Sequence, residues 1–275
     1  MTRTEKEKPI GMFDSGVGGL TVAREVMRNI PNERIIYFGD TARVPYGAKS
    51  KDTILRYSRQ IVRFLLGQGV KAIVVACNTA SAFALEEIRT EIDIPMIGVV
   101  KPGAKTACAV TKNNRIGVIG TRGTISSGLY TEFIRDINPQ AQVIGKACPL
   151  FVPLVEENML KDPVTAEMAR RYLTDLREQN IDTLILGCTH YPLLRSVVQE
   201  VMGDKVTLVN PAYETARSLR RLLEDAGLMN DKEPEKDDTP YQFYVSDAAD
   251  SFREFADSIL PVDIRNATKI NIEEY

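Results

Sequence analysis

Apolar residues are distributed along this chain in two alternating regimes. Short, nearly unbroken runs of Val, Ile, Leu, Met and Phe occur at 9–13 (PIGMF), 34–40 (RIIYFGD), 71–77 (KAIVVAC) and 94–100 (IPMIGVV). They recur at 115–121 (RIGVIGT), 141–149 (AQVIGKACP), 181–188 (IDTLILGC) and 206–210 (VTLVN). Runs of this length predict strands buried on both faces. Between them the apolar period lengthens to that of a helix. In 52–69, for example, Ile54, Ile61 and Leu65 fall on one face beside Leu55, Val62 and Leu66. Helical spacing also marks 20–30, 81–92, 125–137, 165–179 and 191–202. Strands alternating with helices imply parallel sheets covered on both sides. The pattern restarts at Arg115 after a break expected near Lys101–Pro102–Gly103, so two α/β domains are predicted. The polar stretch 228–240, with two prolines, reads as an exposed loop. A further strand (242–246) and helix (248–260) remain free to complete either sheet.

Composition narrows the function. The chain has 275 residues, 44% of them apolar, and a net charge of −2 without long runs of one sign. That offers no electrostatic footprint for nucleic acid or an anionic membrane. The arginines at 217, 220 and 221 read as a solvated helix face. No apolar h-region opens the chain and no window of about 20 apolar residues exists, so neither a signal peptide nor a membrane span is expected. Four cysteines, at 77, 108, 148 and 188, lie too far apart for the usual zinc pairing, and a disulfide framework would need a secreted context. Free thiols in a cytoplasmic protein are the expectation.

Two of these cysteines occupy look-alike corners. VVACNTASA places Cys77 at a strand end before Asn78, Thr79 and Ser81, and LILGCTHYPLL places Cys188 before Thr189, His190 and Pro192. Ligands of open α/β sheets lie at the carboxyl ends of strands. A buried cysteine is ordinarily a small hydrophobe, but hydroxyls and an amide crowding a turn favour chemistry, and a helix N-terminus is expected to lower the Cys77 pKa. His190, the sole histidine, reads as a proton partner for Cys188. Asp14 closes the first strand, as a helix cap or as an acid–base group. The glycine loop after it, GVGGLT, fails the dinucleotide pattern because Thr21 stands where a glycine is required. Tyr46 and Gly47 in ARVPYGAKS, and Thr121 and Thr124 in TRGT, fall on the same rim. Cys108 and Cys148 lack such surroundings and read as structural. Two thiols on opposite sides of one carbon can take a proton from one face and return one to the other, which is racemisation. The motifs contain no lysine placed for a Schiff base, which favours a mechanism without pyridoxal phosphate.

FDSGVGGLTV, VPYG, ACNTASA and GCTHYPLL, in this order and spacing, resemble the glutamate racemases of the cofactor-independent amino-acid racemase superfamily. The resemblance runs from about residue 9 to about 260. It implies two doubly wound parallel-sheet domains related by a pseudo-two-fold axis, one of residues 1–100 with 212–275 and the other of 101–211, with the active site in the cleft between them. It implies L- and D-glutamate interconversion by Cys77 and Cys188, with Asp14 serving Cys77 and His190 serving Cys188, and no metal or cofactor. Substrate contacts would come from Asp14, Ser15, Tyr46, Gly47, Asn78, Thr79, Thr121, Thr124, Thr189 and His190, with Glu156 near the site. A homodimer supplying D-glutamate for peptidoglycan is the implied biological setting. Sister activities such as aspartate racemisation, a two-lobed amino-acid-binding module and a thiol redox protein are the alternatives.

Overall fold

The computed structural model describes residues 4–233, 240–262, 264 and 266–275. The first segment of regular structure runs β1 (Ile10–Asp14), α1 (Leu20–Asn29), β2 (Ile35–Gly39), α2 (Lys51–Gly67), β3 (Ala72–Val75), α3 (Asn78–Phe83), α4 (Leu85–Arg89), β4 (Met96–Gly98) and α5 (Val100–Val110). The second runs β5 (Arg115–Gly120), α6 (Arg122–Ser126), α7 (Leu129–Ile137), β6 (Gln142–Ala147), α8 (Phe151–Glu156), α9 (Pro163–Glu178), β7 (Thr183–Gly187), α10 (Arg195–Met202), β8 (Thr207–Val209) and α11 (Pro211–Asp225). β9 (Tyr241–Val245), α12 (Ala249–Ile259) and β10 (Ala267–Lys269) close the chain.

Two parallel sheets result, ordered β10-β9-β2-β1-β3-β4 and β6-β5-β7-β8. Within them the same path is traced twice. The chain lays down a first strand (β1 or β5), places the second on one side, and returns to the other side with the third and fourth. Each sheet therefore has a topological switch point, between β1 and β3 and between β5 and β7, where the strand ends leave a crevice. Asp14 and Cys77 flank the first crevice, and Thr121 and Cys188 the second.

Alternation within strands explains the layers. In β1, Ile10 and Met12 enter the core under α1, α11 and α12, whereas Phe13 enters the core under α2, α3 and α4. Helix α2 is opened by Ser50, whose hydroxyl accepts the Thr53 N–H, and buries Ile54, Leu55, Ile61, Val62, Phe64 and Leu65. Each such side chain contributes about 1.5–3 kcal/mol on burial.

Several boundaries differ from the expectation. Lys101–Pro102–Gly103, where the break between domains is expected, falls in the first turn of α5, where a proline N–H is not needed. Gly103 instead lets Pro211 of α11 approach, since a Cβ there would meet it at 3.1 Å. The expected 81–92 helix is two short helices, and that over 125–137 is divided at Gly128, which adopts a left-handed φ of 71°. The terminal strands β9 and β10 join the first sheet beside β2, which answers the question the periodicity left open. Of the expected exposed loop over 228–240, residues 234–239 lie outside the described residues.

Candidate active site

Both cysteine corners fall at strand ends, as their apolar runs predict, and both face one cavity of about 400 Å³. Beyond β3 the backbone of Cys77 takes an extended conformation and caps α3, and its Sγ accepts the Ala80 N–H at 3.4 Å. Ser15 Oγ lies 3.9 Å from the same sulfur. Beyond β7 the chain turns through Cys188 and Thr189, and a short 3₁₀ helix (Tyr191–Leu194) starts with Pro192 in its first turn. His190 precedes that helix, with Nδ1 3.8 Å from Cys188 Sγ and Nε2 3.0 Å from Glu156 Oε1.

The wall on the first-sheet side includes Ser15, Tyr46, Gly47, Cys77, Asn78 and Thr79. From the second sheet's side come Thr121, Glu156, Cys188, Thr189 and His190. Two sequence-derived candidates stand behind the wall instead. Asp14 is fully buried, accepting the Gly16 N–H at 2.9 Å and facing Thr189 Oγ1 at 3.5 Å. Thr124 closes a triangle of hydroxyls, 3.1 Å from both Thr79 and Thr121, with Thr79 and Thr121 2.9 Å apart. Tyr46 presents its ring, because its hydroxyl is bound to Asp40. Val44 and Arg122 lie within the VPYG and TRGT motifs, but nothing in the sequence signals Pro149, Val152 and Pro153 on the wall, or the hydrogen bond from Tyr130 to Asn78. Cys108 and Cys148 are absent from the lining. Cys148 is instead buried in the core beneath α8 and α9.

Glycines make the closeness of these parts possible. A Cβ at Gly18 would come within 2.4 Å of the His190 ring and of Thr189 Oγ1. One at Gly47 would come within 2.5 Å of Thr121. The glycine loop thus serves as a bare backbone against which the second corner packs.

Charge is distributed unequally. Burial, then the neighbouring Asp14, pushes the Cys77 thiol up to about 12, although the Ala80 N–H and Ser15 act in the other direction. The expected lowering by the helix start is therefore reversed, because a short helix offers one amide while desolvation acts on the whole thiolate. Burial alone would push the His190 imidazolium down. Hydrogen bonds to Cys188 and Glu156 more than offset it and carry His190 up to about 10. Burial also raises the Asp14 pKa, against the opposing influence of His190.

Among the described residues no group of three or more His, Cys, Asp or Glu is placed to hold a metal ion, and no helix is long and apolar enough to cross a membrane. Residues 20–219 match the family model for Asp/Glu/hydantoin racemases. A glutamate racemase of Geobacter metallireducens is 48% identical over 266 residues, 97% of each chain. The crystal structure of a glutamate racemase isoform from Bacillus anthracis superposes with a TM-score of 0.92 at 39% identity, covering 96% of this chain and 98% of that one. That of the Francisella tularensis enzyme, in complex with D-glutamate, gives 0.90 at 37% identity, covering 98% of this chain and all of the other. By these matches the chain belongs to the Asp/Glu/hydantoin racemase family, and within it to the glutamate racemases.

Proposed function

We propose that the protein interconverts L- and D-glutamate by a two-base exchange of the Cα proton between Cys188 and Cys77. The observation that carries this reading is the pair of thiols at equivalent strand ends, both opening on the same cavity. In the L-to-D direction the Cys188 thiolate takes the Cα proton. The Cys77 thiol delivers its own proton to the opposite face, which leaves Cys77 as thiolate and Cys188 as thiol. Exchange with solvent then resets the pair. The D-to-L direction runs the same steps in reverse.

The resting charges favour starting in this way. An imidazolium at His190, 3.8 Å from Cys188 Sγ, is the counter-ion a thiolate requires, whereas a thiol pushed up to about 12 at Cys77 keeps its proton for delivery. Glu156 sustains the imidazolium, and Asp14 holds Cys77 protonated until the carbanion forms. The α-hydrogen of an amino acid is weakly acidic, so charge developing toward the α-carboxylate must be stabilised. Asn78, Thr79, Thr121 and Thr189 supply donors along both walls for that purpose. Ser15, Tyr46 and Gly47 shape the space for the side chain, and Thr124 holds Thr79 and Thr121 in place.

We also divide the chain into residues 1–100 with 212–275 and residues 101–211, and place the enzyme in the cytoplasm as a homodimer that supplies D-glutamate for peptidoglycan. The chemical test is isotopic. In D₂O, D-glutamate formed from L-glutamate carries deuterium at Cα from the first turnover, while the remaining L-glutamate keeps its protium early in the reaction. D-product that retains protium would refute the two-base route, since the returned hydrogen must come from a second, solvent-equilibrated group.

A further inference from the structure

Tyr130, the second residue of α7, is buried and belongs to no motif that the sequence brings forward. Its ring lies against Gly187, where a Cβ would come within 3.2 Å of Tyr130 Cε2, and its hydroxyl lies near Gly103. Its hydroxyl donates to Asn78 Oδ1 at 2.7 Å. Gly187 immediately precedes Cys188 and Asn78 immediately follows Cys77, so this one side chain touches both cysteine corners from behind. Burial raises the phenol pKa far above its usual value, and the group remains a donor across the working pH range.

An amide has an acceptor end and a donor end, so holding one end fixes the direction of the other. With Oδ1 held by Tyr130, Asn78 Nδ2 is turned away from α7. Among the described residues Nδ2 makes no hydrogen bond to protein and is not among the sealed, unpartnered polar atoms, and Asn78 lines the cavity. The opposite amide orientation would leave the buried phenol without an acceptor and would aim Oδ1 at an anionic ligand. Both consequences are unfavourable.

We propose that Tyr130 is a positioning residue that orients the Asn78 amide so that Nδ2 is presented to a carboxylate of the substrate. This rests on the glutamate reading of the cavity. Tyr130 touches no substrate. It acts through Asn78, and its removal should weaken substrate capture more than turnover.

The test is a double-mutant cycle with glutamate as the ligand. Y130F keeps the ring against Gly187 and removes only the hydroxyl. It should raise KM roughly tenfold, the scale of one lost hydrogen bond to a charged group, with kcat within about twofold of wild type. N78A should raise KM at least as much. The double variant Y130F/N78A should match N78A alone, because the hydroxyl then has nothing to orient. Melting temperatures establish that each variant is folded. Y130F with a wild-type KM, or a Y130F cost that is the same in both backgrounds, would overturn the positioning role while N78A still reports an intact substrate site. Wild type that does not racemise glutamate, or N78A with an unchanged KM, would instead overturn the substrate reading and this inference with it.

Discussion

The Cys77 and Cys188 corners share position but not electrostatics. Each thiol comes just after the third strand of a sheet whose first four strands trace the same path, so the fold delivers the two sulfurs to equivalent crevices. The residues next along the chain then separate them. After Cys77 a helix starts at once and the sulfur meets an amide, a serine and a buried carboxylate, with no cation against it among the described residues. After Cys188 an extra turn inserts His190, backed by Glu156. Topology duplicates the position of a thiol, and two or three side chains give each copy its own electrostatic surroundings.

Removing either sulfur should break the comparison most severely. Cys77→Ser and Cys188→Ser are each expected to lower kcat in both directions by about 10²–10⁴, the usual loss for a positioned acid or base. A chiral assay of glutamate from both enantiomers measures this, and a serine variant within tenfold of wild type would remove that thiol from the chemistry.

Gly18→Ala comes next. Its Cβ would collide with His190 and Thr189, and displacement of a catalytic group by about 1 Å costs on the order of 10² in rate. kcat/KM should fall roughly 10- to 100-fold with the fold retained by circular dichroism.

His190→Asn sharpens the asymmetry. Racemisation has an equilibrium constant of one, so kcat/KM must fall equally in both directions. The unequal effect belongs to the separate kcat values, with L-to-D turnover reduced more. Glu156→Gln should act in the same sense but less, moving the alkaline limb of the L-to-D kcat profile to lower pH by withdrawing one support of the imidazolium.

Stability against pH carries a smaller signal of known sign. The folded pKa of His190, about 10, lies above its ordinary 6.5. Its stabilisation is therefore whole below about 6.5 and is lost as pH rises toward 10. Cys77 acts with the same sign between its ordinary 9.0 and about 12. Calorimetric melting temperatures should fall from pH 7 to 10, and less steeply in His190→Asn. Smallest of all, Cys108→Ala should leave both kcat values within about twofold, because Cys108 lies outside the cavity lining.

The sequence disclosed the features that depend on local order. Apolar runs ending in Cys77 and Cys188 exposed the two corners, since a strand end and the turn after it are contiguous in the chain. Glycines at 18 and 47 were visible as residues, but the His190 and Thr121 side chains they admit come from far along the chain. The partnership of Glu156 with His190 spans 34 residues and depends on how α8 folds back over the cavity. Tyr130 was hidden for the same reason, since nothing near it signals that its hydroxyl reaches Asn78 across 52 residues. The reversal at Cys77 came from burial depth, a property of the packed molecule. The start of α5 was not read as helix because its first turn holds Pro102 and Gly103, residues that mark turns on average.

The most direct test is a crystal structure with glutamate bound, read for the positions of the two sulfurs about Cα. The account predicts Cys77 Sγ and Cys188 Sγ on opposite faces of that carbon, each at about 3.5 Å or less, the distance of a near-attack arrangement. Both sulfurs on one face, or a Cα reached by only one of them, would contradict it.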